Sequence, residues 1–463
     1  MTELPDSKRH KVNETNILDN KCAYFKPKNG KRCGLQVRKG QIFCFAHIDV
    51  ANGTTVKDVS TGVSTKEAEI TRTDKNGKII RRVKCTIDPT HTVWEDRLTK
   101  HVKNCNVVKK KKEIADMERN VDWFSIDYNV KEASIAEATK TDEKEWKTCM
   151  HKWIAKHDLI FTDELPLENI QFKQGLEERF AELSNQKHII QQSSLIGQLI
   201  NNGLISENEN PGIVIEFGCG RAEFTRYFNR AIEEINKNKP HCGEYLLIDR
   251  ENPRLKFDKK IAADSEAKGN QNVKVERLKV DIKDLKLIEA LRGFQMQKDS
   301  SIVGKEYLGI SKHLCGVATD LTLRCLINTT RDISLSKDDL HLKGCLVAMC
   351  CRHCCKYEWL LTESKDFLRE QFEIDETNFI YLRKMFAWAT NGVPPGKSKD
   401  EVGDHFSGLS IGEREVIGLK MRRILDESRK YAMVKKGFEV KIVRYVERNV
   451  SLENNCIIVK NAI

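Results

Sequence analysis

A chain of 463 residues is long enough for about three domains, and 40% hydrophobic with 32% charged residues favours folded domains over extended disorder. It has no run of about 18 uncharged apolar residues, and residues 1–10 lack an apolar segment, so we expect neither a membrane protein nor a secreted one. Residues 1–112 carry a net charge of +13 and the remaining 351 carry −2, which favours a polyanionic partner such as nucleic acid; a solvated flexible arm is the alternative.

The chain contains 16 cysteines, and many of them lie within a few residues of a histidine. Without a secretion signal, reduced thiols and metal sites are expected in preference to disulfides. This cysteine usage predicts that the protein resides in the cytoplasm, the nucleus or both.

Residues 18–48 form a first Cys/His block with the pattern Cys22-x10-Cys33-x10-Cys44-x2-His47. Three cysteines and one histidine are a common ligand set for a structural zinc ion. The block has few large apolar side chains, so a metal would have to supply most of its folding free energy. Residues 49–79, rich in Ser, Thr and charge at their start, are predicted to be a linker.

A second block, residues 80–106, has the pattern Cys85-x5-His91-x9-His101-x3-Cys105. His101 and Cys105 are four residues apart and would project from one face of a helix. The pattern predicts a second structural zinc site with two cysteines and two histidines. Free cysteines are the alternative for both blocks. Residues 107–149 are predicted to be a basic, helical linker.

Residues 150–463 alternate short apolar runs with longer amphipathic stretches. This alternation predicts an α/β domain built on a mostly parallel, doubly wound sheet. Two further runs near the end of the chain, separated by 447–449, predict an antiparallel strand pair at one edge. The predicted strands are Ile213–Ile215, Tyr245–Ile248, Val273–Val280, Tyr307–Ile310, Cys345–Met349, Glu439–Val446 and Cys456–Val459.

The first of these strands runs into a glycine turn, Glu216-Phe217-Gly218-Cys219-Gly220. The third glycine of a dinucleotide-binding fingerprint would fall at Glu223, so a pyrophosphate is not the expected ligand. Carboxylates at Glu216 and Glu223 would repel phosphates but suit the cationic sulfonium and amino groups of S-adenosylmethionine. An ordinary α/β turn with incidental acidic residues is the alternative.

Two further acidic residues end predicted strands in the same region. Asp249, about 30 residues after the glycine turn, could accept both ribose hydroxyls of the cofactor. Asp281 ends the next strand and could face the adenine amino group. Together with Gly218 and Gly220, these residues predict a cofactor pocket.

Polar residues follow two later strands, at the sheet edge where ligands of open α/β sheets bind. His313, then Lys312, then His353 are the candidates for a general base, and Arg352 is the candidate for holding a phosphate. The cysteines from Cys350 to Cys355 could bind a third metal ion, but adjacent cysteines on a strand would point to opposite faces. Structural packing or a redox-sensitive pair is the alternative for these thiols.

Several motifs occur together and in order along the chain: the two zinc-finger patterns, Lys187-His188-x2-Gln191-Gln192-x-Ser194-Leu195, Glu216-Phe217-Gly218-Cys219-Gly220, Lys312-His313-Leu314-Cys315-Gly316-x2-Thr319-Asp320 and Cys350-Cys351-x-His353. This combination resembles the eukaryotic tRNA acceptor-stem 2′-O-methyltransferase family over essentially the whole chain. The resemblance implies S-adenosylmethionine as methyl donor, tRNA as acceptor at the ribose of nucleotide 4, zinc in both fingers and no membrane partner. Gln191, in the motif that begins at Lys187, is a further predicted cofactor-binding residue.

We therefore expect two small zinc-finger modules followed by a Rossmann-like methyltransferase domain over residues 150–463, acting on tRNA. One alternative is a methyltransferase that acts on an RNA base or on protein, which the aromatic pair Phe386 and Trp388 keeps open. The other is a non-catalytic RNA-binding adaptor, which the intact series of glycines and aspartates disfavours.

Overall fold

In a computed structural model of the chain, the described residues are 71–73, 76–130, 141–207, 209–236, 243–251, 253–296, 306–336, 339–393 and 396–461. The predicted site of Cys22, Cys33, Cys44 and His47 lies outside them, as does most of the predicted linker 49–79. The chain divides into two compact units, Met1–Val108 and Lys109–Ile463, and each is described by itself.

The described part of the first unit is a three-stranded antiparallel sheet followed by a short helix. Strand β1 is Thr71–Thr73, β2 is Ile79–Lys84 and β3 is Thr92–Trp94, and a 3-10 turn leads into helix α1, Leu98–Asn104. Thr71 pairs with Arg81 across β1 and β2. The predicted start of this module at residue 80 is therefore too late, because a strand inside the predicted linker completes its sheet.

The residues that precede the large sheet belong to the second unit, and the predicted linker 107–149 needs correction. Phe124 is buried in the core of the sheet, and the buried Asn129 amide donates to the carbonyls of Ile282 (2.7 Å) and Leu285 (2.8 Å). A solvated linker would leave these groups in water. The helices of this region are α2, Asn106–Asn120; α3, Glu143–Ile160; α4, Glu177–Glu182; and α5, Lys187–Asn201.

A seven-stranded sheet organises the second unit, in the order β6-β5-β4-β7-β8-β10-β9. Strand β10 is antiparallel to both of its neighbours, and all other pairs are parallel. This confirms the predicted fold class with its antiparallel C-terminal edge, although the connection between the last two strands is longer than the predicted turn. The strands are β4, Ile213–Phe217; β5, Gly243–Asp249; β6, Val273–Lys279; β7, Glu306–Cys315; β8, His341–Cys350; β9, Phe438–Arg444; and β10, Asn455–Asn461.

Helices cover both faces of this sheet, which is why its strands read as continuous apolar runs. Helices α8, α9 and α12 pack on one face and α5, α6 and α7 on the other, while α3, α10 and α11 form a third apolar cluster with α12. None of the described helices combines the length and apolar character needed to cross a bilayer. The helices after β4 are α6, Glu223–Ile235; α7, Asp258–Glu266; α8, Leu287–Met296; α9, Val317–Ser336; α10, Thr362–Phe372; α11, Phe379–Phe386; and α12, Ile411–Lys435.

The strand order reverses at the centre of the sheet. Strand β4 has β5 on one side and β7 on the other, so the chain leaves β4 in one direction and later returns on its opposite side. Ligands of open α/β sheets bind beyond the carboxyl ends of the strands at such a reversal. Apart from Gln191, which lies on α5, the predicted cofactor and base residues lie at or just beyond the carboxyl ends of strands at this edge.

Candidate active site

In the glycine turn between β4 and α6, one glycine allows close packing against β7 and the other borders open space. Gly218 and Gly220 have φ angles of 63° and 48°, which side chains disfavour. A Cβ atom on Gly218 would lie 3.1 Å from Leu314 Cδ1 and 3.2 Å from the His313 carbonyl oxygen, whereas one on Gly220 would meet nothing within 4 Å. The turn therefore packs tightly against β7 at Gly218 and leaves room for a ligand above Gly220.

Asp249, at the end of β5, joins this turn to the neighbouring strand. Its Oδ2 accepts from the Gly220 N–H at 2.7 Å, and its Oδ1 accepts from the Glu251 N–H at 2.8 Å. A carboxylate has about four lone-pair sites, so both oxygens can accept further hydrogen bonds. Asp249 thus lies beside the open space over Gly220, ready to accept from hydroxyl groups of a ligand.

Arg277, in β6, contacts the glycine turn and was not among the predicted site residues. Its Nη1 lies 2.9 Å from both the Gly220 carbonyl oxygen and Cys219 Sγ, and it forms two 2.8 Å hydrogen bonds with Asp258. No local pattern marks this role, because the three partner residues lie in the glycine turn and on α7, distant from Arg277 in the chain.

The remaining predicted cofactor residues are Glu216, Asp281 and Gln191. They differ in whether their side chains already form hydrogen bonds within the protein. The carboxyl group of Glu216 is buried and accepts from the backbone N–H of Thr225 (3.2 Å) and from its hydroxyl group; burial raises the pKa of Glu216 to about 7. Asp281 follows β6 and accepts from the Lys283 N–H at 3.1 Å. Gln191 is buried in α5, and within the described structure its Oε1 has no hydrogen-bond partner. A buried acceptor of this kind normally has a partner, so Gln191 Oε1 is a place for a ligand donor.

Lys312 lies at an irregularity in β7, where two residues between Ser311 and Leu314 oppose a single residue, Ala348, on β8. Such a bulge redirects side chains and is common beside active sites. The Lys312 ammonium group lies 3.1 Å from Nδ1 of His188 on α5 and 3.0 Å from Nε2 of His313. His188 belongs to the motif that begins at Lys187, but it was not among the predicted site residues.

The pKa values of all three titratable groups in this cluster are lowered. Lys312 is only 8% exposed, and burial lowers its pKa to about 8. Desolvation in the cleft and the Lys312 charge lower the pKa of His313 to about 4, and the Lys312 charge is the main cause of the lowered pKa of His188. Both imidazoles are therefore neutral near pH 7 and can accept hydrogen bonds from the ammonium group.

Arg352 does not have the role predicted for it. It is 1% exposed, and its guanidinium forms a two-fold ion pair with Asp426 at 2.8 and 2.6 Å. It also donates to the Met349 carbonyl and to Glu453. Because these partners occupy the guanidinium inside the core, Arg352 is not available to hold a substrate phosphate. The neighbouring base candidate His353 is exposed on the short 3-10 helix that follows β8.

The second Cys/His block assembles as a metal site within the first unit. The Sγ atoms of Cys85 and Cys105 are 3.9 Å apart, the Nε2 atoms of His91 and His101 are 3.0 Å apart, and Cys85 Sγ lies 3.2 Å from His101 Nε2. Nitrogen and sulfur ligands of a tetrahedral zinc ion are about 3.3–3.8 Å apart, given the metal–ligand bond lengths. Asp88 Oδ2 lies 3.2 Å from the other ring nitrogen of His91, an arrangement typical of zinc-bound histidines.

Three family models match the chain. One described as methyltransferase TRM13 matches residues 190–460. A second, described as a CCCH zinc finger in TRM13 protein, matches residues 20–48, and a third, described as a U11-48K-like CHHC zinc finger, matches residues 82–106. The matches cover both Cys/His blocks and the whole of the large sheet.

The chain is also similar to individual proteins over nearly its whole length. It is 35% identical over 448 residues to the tRNA:m(4)X modification enzyme TRM13 of Scheffersomyces stipitis, covering 93% of this chain and 98% of that protein. The enzyme of the same name from Saccharomyces cerevisiae is 35% identical over 481 residues, covering 95% of each chain. Among solved structures, the plantazolicin methyltransferase BpumL in complex with SAH is 10% identical with a TM-score of 0.22, over 69% of this chain and 98% of that one, a similarity too weak to bear on this chain.

Proposed function

This chain belongs to the TRM13 methyltransferase family, and from that premise we propose that it methylates the ribose 2′-hydroxyl of nucleotide 4 in the tRNA acceptor stem. S-adenosylmethionine is the proposed methyl donor. The family resemblance noted in the sequence is confirmed by the matches to both zinc fingers and to the sheet domain. The reaction is an in-line attack of the ribose oxygen on the donor methyl group.

The observation that carries this proposal is the open space above Gly220, bordered by Asp249 and lying where the strand order reverses. The residues around it suit S-adenosylmethionine, because Asp249 can accept from ribose hydroxyls and Gln191 Oε1 is a buried acceptor without a partner among the described residues. When bound, this cofactor supplies an electrophilic methyl group. The protein's own contribution is to orient the two reactants and to remove a proton.

Lys312 is our candidate for the group that removes the ribose proton. A general base works best when its pKa lies near the working pH, and burial brings the pKa of Lys312 to about 8. His313, placed first from the sequence, is a weaker base because its pKa is about 4, and its Nε2 lies within hydrogen-bonding distance of Lys312. The structure thus supports Lys312 ahead of His313, with His188 and His313 holding the amine in place. His353 stays a prediction.

A stem target is accessible to such a site. Double-stranded RNA displays its 2′-hydroxyls in a wide, shallow minor groove, so the ribose can be reached without flipping a base out of the helix. The net charge of +13 on residues 1–112 suits phosphate contacts that position the stem.

The location of the transferred methyl group tests the proposal. Purified protein is incubated with methyl-labelled donor and a tRNA transcript, which is then digested to nucleosides and mapped by mass. We expect one 2′-O-methyl group at nucleotide 4, and none on an otherwise identical tRNA with a 2′-deoxyribose there. A methyl group on a base would favour the base-directed alternative, and no transfer to any tRNA would favour the adaptor.

For the compartment we propose the cytoplasm, the nucleus or both. The cysteines in the described part of the chain are not joined in disulfides, which supports a reducing environment. Fractionation of cells that express the full chain tests this.

A further inference from the structure

Three thiols converge at the ends of two neighbouring strands, outside both zinc fingers. Cys315 ends β7, Cys350 ends β8 and Cys351 follows directly. Their sulfur atoms all lie within 4.8 Å of one another, and those of Cys315 and Cys350 are 3.3 Å apart. Cys350 is buried, Cys351 is half-buried and Cys315 is exposed, so the cluster lies at the surface with one side open.

The backbone at Cys351 is what brings two adjacent thiols to the same place. On a continuing strand, Cys350 and Cys351 would point to opposite faces, and that pattern alone argues against a shared metal site. The strand instead ends at Cys350, and Cys351 has φ 44° and ψ 43°. This left-handed conformation is unfavourable for a residue with a side chain. The chain therefore accepts local strain at the residue that aligns the thiols.

The loops on either side are packed so that this arrangement is held. Gly316, directly after Cys315, has φ 53°, and a Cβ atom there would lie 2.6 Å from Cys354 Cβ. The Gly316 N–H donates to the Cys350 carbonyl at 3.2 Å, and the Cys351 N–H donates to Glu453 Oε1 at 3.1 Å. A glycine is thus required where the loop after β7 approaches the loop after β8. The two hydrogen bonds fix the backbone next to Cys315 and at Cys350 and Cys351.

Charged groups of both signs act on the cluster. Arg250 acts electrostatically on Cys315, and Lys312 and Arg422 act on Cys350, while Glu453 Oε1 accepts from the Cys351 N–H at 3.1 Å. The three cations would partly offset the net negative charge of a zinc ion bound by three thiolates.

We propose that Cys315, Cys350 and Cys351 bind a zinc ion as three thiolates, with the fourth coordination position facing the open side of the cluster. Each thiol releases its proton to solvent on binding. Three converging sulfur atoms match the soft ligands that zinc prefers, and sulfur ligands of a tetrahedral zinc ion are about 3.8 Å apart. A Cys315–Cys350 disulfide would need an oxidant and would leave Cys351 without a function. The site does not depend on the proposed reaction for its ligands, although Cys350 also acts electrostatically on Lys312. A bound zinc ion would tie the carboxyl ends of β7 and β8 together.

Zinc content of the full chain tests the site. Elemental analysis compares the unsubstituted protein with two variants. Cys315→Ser changes an exposed ligand, so the packing of the core should be preserved. Cys149→Ser changes a thiol on α3 outside the cluster and is the control. We expect Cys315→Ser to contain about one zinc ion fewer per chain and Cys149→Ser to contain as much as the unsubstituted protein. Equal zinc in all three proteins would overturn the proposal.

Two further measurements separate this site from the fingers and from a disulfide. Adding His101→Ala to Cys315→Ser should remove a second zinc ion, whereas an unchanged total would mean that both substitutions act on one finger site. Cobalt-substituted Cys351→Ser should lose part of the thiolate charge-transfer absorption of the cobalt protein. A peptide pair joined through Cys315 and Cys350, found by mass spectrometry in alkylated, unreduced protein, would also overturn the proposal.

Discussion

Lys312 is an ammonium group held by two imidazoles, and no described carboxylate lies within hydrogen-bonding distance of its Nζ. A carboxylate in contact would hold the amine in its charged form, whereas neutral His188 and His313 orient it without adding negative charge. Burial lowers the pKa of Lys312 to about 8 from its usual 10.5, and the more distant charges of Glu223 and Glu216 offset this shift only in part. At the scale of single residues, it is the feature most directly linked to proton removal.

If neutral Lys312 is the base, the methylation rate should rise with pH and level off above about pH 8, because the amine loses its proton in that range. Lys312→Arg keeps the positive charge at every accessible pH and should lower kcat by about 10²–10⁴-fold while leaving donor affinity unchanged. Lys187→Arg, on the exposed start of α5, is the matched control and should behave as the unsubstituted protein. A pH profile without the rise, or an active Lys312→Arg variant, would exclude this role.

Asp249→Ala should weaken binding of the donor by about 1–3 kcal/mol, the magnitude for losing a charged hydrogen-bond acceptor. The substitution also removes the partner of the Gly220 N–H, so the turn itself would be less well held. Calorimetric titration with the demethylated donor product measures the change, with Glu251→Ala as control. Affinity for tRNA should stay the same in both variants. Unchanged affinity for the product would mean that the cofactor binds elsewhere.

At the scale of elements, buried ion pairs join the end of β8 to helix α12. Arg352 pairs with Asp426, and Arg429 of the same helix pairs with Asp320 at the start of α9 at 2.8 and 2.7 Å. All four side chains are almost fully buried. Removing one partner from such a pair leaves an uncompensated charge in the core, which is far more costly than losing an exposed pair.

Arg352→Leu should therefore lower the free energy of unfolding by roughly 3–5 kcal/mol, as measured by urea denaturation. Arg369→Leu, which breaks an exposed pair with Asp366 within α10, should have a small effect. The salt dependence of tRNA binding should be the same for both variants. A stable Arg352→Leu protein with a shallower salt dependence would instead restore the predicted phosphate contact.

The second zinc finger permits a test of its ligands and of their support. His101→Ala should remove about one zinc ion per chain. Asp88→Ala should retain that ion but bind it about 10–100-fold more weakly, because Asp88 orients His91. Competition with a chromogenic chelator measures the affinity, and Glu95→Ala on the neighbouring turn is the control. Full zinc content in His101→Ala would contradict the assignment of the four ligands.

At the scale of the whole molecule, charge and chemistry are carried by different parts of the chain. Residues 1–108 hold a net charge of +9 out of +11, whereas every residue of the candidate active site lies in the second unit. Helix α2 spans residues 106–120, so a cut at the boundary of the two units preserves more of it than a cut after residue 112.

Deleting residues 1–108 should leave donor binding intact and strongly reduce activity on tRNA. Each phosphate contact on a duplex contributes about 0.9 to the slope of log affinity against log salt, so the truncated protein should show a shallower slope. Its affinity for unrelated tRNAs should fall as well, because phosphate contacts carry no sequence information. If the basic segment is only a solvated arm, the salt slope and the methylation of free tRNA will be the same with and without it.

The sequence alone was sufficient for features that depend on neighbours along the chain. The spacing of Cys85, His91, His101 and Cys105 predicted a ligand set that the structure brings together, and the glycine turn with Asp249 was recognisable because turn geometry and strand ends are encoded locally. The alternation of apolar runs likewise predicted the parallel sheet and its antiparallel edge.

Only the tertiary structure decided which distant residues meet. Arg352 was assigned to substrate because its partner Asp426 is 74 residues away on α12, and the proximity of His188 to Lys312 depends on a separation of 124 residues. The convergence of Cys315 with Cys350 and Cys351 required both the β7–β8 pairing and a left-handed residue. Periodicity and turn chemistry are local properties, whereas these contacts follow from the order of strands in the sheet and from burial, which no short segment of the chain specifies.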